Sequence, residues 1–160
     1  MESQFVSFEI GDATFLIPIE RVVEFRTWSE PTAVPHTPAY VRGIVNIRGE
    51  IVPIYDVSAR LGKGGTQAGS RHVVVIVRGN DGRSVGLLVV AVTDIVTARA
   101  DDMAPMPAIE GGDATPFMSG VVFVAEKILG VTDVDRLVEE TFPVSGFEAG
   151  ADAPAAGAAP

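Results

Sequence analysis

The chain contains no cysteine. Disulfide staples, thiolate metal centres and cysteine nucleophiles are therefore excluded, and a reducing compartment is the natural expectation. Histidine is nearly as scarce: His36 lies beside Pro35 in a loop and His72 opens an apolar run, and neither has a second ligand at helical spacing. No metal is expected. Aromatic residues make up only 7%, so the core must be built mainly from Val, Ile and Leu, a composition that favours sheet. Cations are few, with Lys+Arg 12 against Asp+Glu 21 and a net charge of −9. The two signs balance over residues 1–100, and residues 101–160 supply the whole excess. Such a charge argues against nucleic acid and against anionic lipid, both of which need a basic face. It reads as a solvated acidic surface. Long hydrophobic runs are missing too: Val85 to Val92 is strand-sized and holds Gly86, so no direct membrane insertion is expected. Met1-Glu2-Ser3-Gln4 lacks the basic and apolar regions of a signal peptide.

Catalytic constellations are equally hard to find. No Ser or Thr sits in a nucleophile elbow. Asp101 and Asp102, alone or with His36, are the only candidates for a small acid–base site, but an adjacent pair in a Pro-rich loop reads more simply as a solvated turn. Gly62-Lys63-Gly64-Gly65 fails as a phosphate loop, because Val57 stands where Gly is needed and Gly64 where Ser or Thr is needed. No cofactor is expected. A β-rich chain of this kind is read as a binding module, not an enzyme.

What is present is a succession of short strands. Gln4–Ile10 and Ala13–Ile17 alternate around Gly11-Asp12, and Pro18–Arg21 makes a turn or half-helix before a strand at Val22–Trp28. Pro31, Pro35 and Pro38 punctuate a loop. Val41–Ile47 and Glu50–Asp56 flank Arg48-Gly49, a hairpin signal that sets a permanently charged guanidinium at an exposed tip. Leu61–Ser70 reads as a flexible Gly-rich loop. His72–Val77 reads as a strand buried on both faces, turning at Gly79–Gly82 into Ser84–Val92 and then Asp94–Ala98. An irregular link over Asp101–Pro116 precedes a last hairpin, Val121–Ala125 with Lys127–Val131. Asp133–Glu140 reads as a short helix with Thr132 as its N-cap. Residues 146–160 are Ala, Gly, Pro and acid, too poor in apolar groups to offset ordering, and are expected to be disordered. The strands fall into two groups of about five, divided near 61–70, which suggests two small barrels within residues 1–145.

The series Phe8, Phe15-Leu16-Ile17-Pro18, Val22-Val23-Glu24, Pro35, Pro38 and Gly43 through Asp56 resembles the CheW family of bacterial chemotaxis coupling proteins. Val85–Val89, Phe117–Val121 and Val131–Leu137 support it by order and spacing, so the resemblance covers about residues 4 to 140. It implies a mainly β fold of two interlocked five-stranded SH3-like β-barrels with a short C-terminal helix. It implies a cytoplasmic, non-catalytic adaptor, recruited to membrane-associated receptor arrays. Its partners would be the cytoplasmic tip of a methyl-accepting chemoreceptor and the regulatory domain of a CheA-type histidine kinase. A coupling role in a non-flagellar pathway, such as twitching motility or development, is the alternative.

By the same resemblance the receptor-facing positions are Val22, Glu24, Arg48, Val74 and Ile95. From the residues alone, Val74 reads as core and Glu24 with Arg48 as an ordinary surface pair. Gly43, Gly49 and Gly120 read as turn glycines set by backbone geometry. Val90 stands where the family commonly has Asp.

Overall fold

The computed structural model describes residues 2–11, 13–69, 71–106 and 117–139. Eleven strands run in order: β1 (Glu2–Ile10), β2 (Ala13–Pro18), β3 (Val22–Thr27), β4 (Val41–Ile47), β5 (Glu50–Asp56), β6 (Val73–Arg78), β7 (Ser84–Val89), β8 (Ala91–Arg99), β9 (Met103–Pro105), β10 (Met118–Val124) and β11 (Lys127–Thr132). Two short helices, α1 (Val57–Arg60) and α2 (Val134–Glu139), and 3₁₀ turns at Ile19–Arg21 and Ala100–Asp102 complete the described chain.

The strands form two sheets, ordered β8-β1-β2-β11-β10-β9 and β3-β6-β7-β5-β4. They are two SH3-like barrels, with one more strand in the first sheet than the sequence suggests, because the three-residue β9 adds an edge. The sequence places their boundary near 61–70, but that loop joins β5 to β6 within a single sheet. The chain instead changes sheets twice, through the 3₁₀ turn Ile19–Arg21 and at Val90. The expected long return strand through Val92 therefore stops at Val89, and Ala91 begins a strand that pairs with β1 in the other sheet. Periodicity could not reveal this, since apolar residues continue across the break.

Three apolar clusters follow. Phe5, Leu16, Ala98, Val122 and Val131 fill the six-stranded barrel. Ile47, Val52, Ile54, Val74, Ile76 and Leu88 fill the five-stranded one. The third lies between them, where Phe8, Ile10 and Ile17 of one sheet meet Tyr55, Val75, Val77, Val85 and Leu87 of the other. β6 thus points alternate residues into two cores, which is why its Val/Ile run is buried on both faces.

Several local readings need correction. Leu61 is buried, and Thr66 donates through its N and Oγ1 to Asp56, both at 2.7 Å, so 61–66 is strapped down. Asp56 also caps α1, accepting from Ala59 N. Thr132 is the last residue of β11 and stands one position too early to cap α2; Asp133, immediately before Val134, does so, its Oδ1 accepting from Arg136 N at 3.1 Å. Gly43 and Gly120 lie within strands at register shifts rather than in turns. A Cβ at Gly43 would stand 2.4 Å from the carbonyl oxygen of Thr32, and one at Gly120 2.8 Å from that of Ala104. Residues 107–116, 140–145 and the tail 146–160 lie outside the described residues.

Candidate functional site

The turn between β4 and β5 holds Arg48 at φ 52 and Gly49 at φ 89. Both central residues are left-handed, as a two-residue type I′ hairpin requires. Gly49 adopts this freely, while Arg48 carries the strain of a side chain in that region. Asn46 relieves the turn by accepting from Gly49 N at 2.8 Å. The tip is thereby rigid, and Arg48 leaves it in a defined direction.

That direction is toward β3. β3 and β4 are the two edges of the five-stranded sheet and share no ladder. Arg48 crosses the seam between them, and its Nη2 donates to Glu24 Oε2 at 3.0 Å. Arg26 approaches the same carboxylate at 3.5 Å. The Glu24 carboxyl is held below its ordinary value, chiefly by the hydrogen bond from Arg48, against a smaller opposing effect of desolvation. The Arg48 side chain remains 69% exposed, so most of its five N–H donors face outward. An ion pair this open stabilises little. What it does is fix the orientation of a guanidinium that can still pair with a carboxylate or carbonyl on a partner.

Beside the pair lies a small concavity of about 60 Å³, lined by Arg26, Thr27, Asn46, Ile47, Val74 and Ile76 among others. Val74 is 4% exposed and belongs to the five-stranded barrel's core, yet it also lines this opening. Gly86 makes room for it: a Cβ there would stand 2.8 Å from Val74 Cγ1 and 2.5 Å from Ile54 Cδ1. Phe25 and Val23, neighbours of Glu24 on β3, are 49% and 41% exposed. The sequence reading did not single them out, although their position either side of Glu24 was available as a signal.

Glu24, Arg48 and Val74 thus share one locality. Val22 lies beyond a register shift on β3 and packs against the inter-sheet core. Ile95 is 55% exposed on β8 in the other sheet. Of the acid–base candidates, Asp102 accepts from Arg99 N at 3.0 Å and closes the 3₁₀ turn, and His36 is exposed in the proline-rich loop. His72 Nδ1 accepts from Gly69 N at 2.9 Å, a local loop contact. Among the described residues no group of three or more His, Asp or Glu is placed to hold a metal ion.

A family model for the CheW-like domain matches residues 4–142. The chain is 38% identical over 134 residues to the chemotaxis protein CheW of Rhizobium meliloti, covering 84% of this chain and 86% of that one. It is 35% identical over 140 residues to the probable chemotaxis protein CheW of Rhizobium etli, covering 88% and 90%. Among solved structures, the scaffolding protein TtCheW of Thermoanaerobacter tengcongensis superposes with a TM-score of 0.80 at 27% identity, over 88% of this chain and 95% of that one. With the match running from β1 past α2, and both barrels reproduced in a solved relative, the chain belongs to the CheW-like domain family.

Proposed function

We propose that this protein is a non-catalytic adaptor that couples chemoreceptors to a CheA-type histidine kinase in bacterial chemotaxis signalling. The observation that carries the reading is the Glu24–Arg48 pair, which fixes an exposed guanidinium on a hairpin tip beside a small concavity lined by Ile47, Val74 and Ile76. A charged fork beside an apolar recess is a recognition surface, because it combines orientation-specific pairing with apolar area. Family membership supplies the partner class. Glu24, Arg48 and Val74, with Val22 and Ile95, form the proposed receptor-facing set, and the regulatory domain of the kinase pairs elsewhere on the barrels. No described helix is long and apolar enough to cross a membrane, in keeping with a cytoplasmic protein recruited to receptor arrays.

Reconstitution of receptor, kinase and adaptor tests this. The wild-type chain should raise receptor-dependent kinase activity. Arg48→Ala should abolish most of that gain while its melting temperature stays near wild type, since the truncated side chain leaves no cavity. Arg48→Lys should recover only part of the gain if bidentate pairing matters. Full activation by folded Arg48→Ala would remove this hairpin from the interface.

A further inference from the structure

Helix α2 is joined by the chain to one sheet and held by side chains of the other. It follows β11 directly, yet its polar contacts run across the boundary. Arg21, at the entrance to β3, donates through Nη1 to Asp135 Oδ1 at 3.0 Å and through Nη2 to Oδ2 at 2.6 Å. Asn80, in the β6–β7 turn, donates to the same carboxylate from its backbone N at 2.8 Å and from Nδ2 at 2.7 Å. Arg21 Nη2 also donates to Asn80 Oδ1 at 2.9 Å, which closes a three-residue ring of contacts. At the other end, Arg60 of α1 donates from Nε to the carbonyl of Leu137 at 3.1 Å. Its guanidinium lies over the Tyr40 and Phe117 rings at 4.4 and 4.7 Å.

The apolar face of α2 is equally committed. Val134, Leu137 and Val138 are buried in the cluster between the two sheets. Gly79 forms the seat, because a Cβ there would meet Val138 Cγ2 at 3.3 Å. A helix of six residues has too few internal hydrogen bonds to persist alone. Its presence depends on these external contacts. The ionic end is also accessible, with Arg21 and Asp135 side chains 24% and 34% exposed, so water and salt reach it.

We propose that α2 is an ionic latch that locks the two barrels into one rigid body, with Arg21, Asn80 and Asp135 as the positioning residues that hold it shut. The consequence for signalling rests on the adaptor reading above. An adaptor that holds two partners on different faces of a two-barrel body passes a displacement between them only while the barrels move together. Releasing α2 loosens their shared core and leaves each outer face intact. Binding and transmission should therefore separate.

The experiment uses the full chain with Asp135→Ala, and with the pair Asn80→Cys and Asp135→Cys. The absence of native cysteine makes the second variant a latch closed by oxidation and opened by reduction. In Asp135→Ala, α2 amides should exchange at least about tenfold faster, because hydrogen bonds to a charged group are lost. Exchange in the β4–β5 hairpin should stay within about twofold of wild type. Affinities for receptor and for kinase, measured separately, should also stay within about twofold, while receptor-dependent kinase activation falls several-fold. Oxidation of the double-cysteine variant should restore both α2 protection and activation, and reduction should remove them together. Unchanged α2 exchange in Asp135→Ala overturns the latch. Faster α2 exchange with full activation overturns its role in transmission, as does an oxidised variant protected at α2 but still inactive. Failure of the wild-type chain itself to activate the kinase would instead count against the adaptor reading.

Discussion

Gly43 and Gly49 stand six residues apart around the same hairpin, and they are glycine for different reasons. At Gly43 the limit is space: φ is +145, and a Cβ would fall 2.4 Å from a backbone carbonyl that cannot move without breaking the Thr32–Ile44 bridge. At Gly49 there is open space around the missing Cβ, and only φ +89 resists a side chain. Gly43→Ala should therefore cost on the order of 3 kcal/mol. Gly49→Ala should cost about 1 kcal/mol, and Gly49→Asn less, because Asn tolerates the left-handed region. Urea midpoints of the three variants check the order, and equal losses would refute it. Two carboxyls add a pH signature. Glu24 is held below its ordinary value of 4.5 mainly by the Arg48 hydrogen bond. Asp135 is held below 3.8: burial alone would raise it, but the Arg21 hydrogen bond, the Asn80 N–H and the Arg21 charge outweigh that. Each is therefore more acidic folded than unfolded. The stability each contributes is whole above its ordinary pKa and is lost as pH falls through the lowered native one. Asp135→Asn and Glu24→Gln should flatten the decline of the urea midpoint below about pH 5. A decline as steep as in the wild type would show that other groups carry it.

Elements were legible where the chain obeys one rule at a time. The Arg48-Gly49 hairpin, the buried run of β6 and the Gly79–Gly82 turn all announce themselves through local chemistry. The pairing of Glu24 with Arg48 was also within reach, since one strand edge and one rigid tip leave few other arrangements. What was hidden depends on distant contacts. Nothing local marks Val90 as the point where the chain changes sheets, and its N–H donates to Glu9 far away in sequence. The composition of the strap over 61–66 predicts flexibility because glycines dominate it, whereas a single buried carboxylate, Asp56, holds it through Thr66 and through Arg42 Nη1 at 3.2 Å. Asp56→Ala should free this strap and leave Arg42 without its carboxylate, at a cost of about 3–5 kcal/mol. Faster amide exchange across 62–69 would accompany it, and an unchanged loop would show that the glycines pack on their own account. The last hairpin makes the complementary case. Its tip, Ala125-Glu126, has φ of 46 and 69 with no glycine, so the turn is bent against residue preference. Replacing the two with Asn-Gly should raise stability by about 1 kcal/mol. A lower melting temperature would mean that the native side chains make contacts there that outweigh the strain.

The molecule as a whole has two sheets, but its largest apolar cluster belongs to neither alone. Phe8 and Ile17 from one side and Leu87, Val75 and Tyr55 from the other are each 2% exposed or less, in the cluster that α2 also enters. Each barrel keeps a smaller core of its own, five residues in one and six in the other. A barrel that size, exposed along its inner wall, would lose most of its buried area, and small isolated domains are marginal even when intact. The sequence order enforces the same union, because β1 and β2 belong with β8 to β11 while the whole second sheet lies between them in the chain. Neither half can leave as a terminal segment. Thermal unfolding should therefore be one transition, with calorimetric and van't Hoff enthalpies in agreement. Neighbouring residues on β7 refine the test, since Leu87 faces the shared cluster and Leu88 the five-stranded barrel, both 0% exposed. Leu87→Ala and Leu88→Ala should each cost about 2–5 kcal/mol. If the shared core carries cooperativity, Leu87→Ala alone should broaden the transition or split it by far-ultraviolet and tryptophan signals, because Trp28 packs against the five-stranded barrel's core. Leu88→Ala should lower the midpoint and keep the two signals coincident. Two separate transitions in the wild type, or a split produced by Leu88→Ala and not by Leu87→Ala, would place the cooperative unit inside each barrel instead of between them.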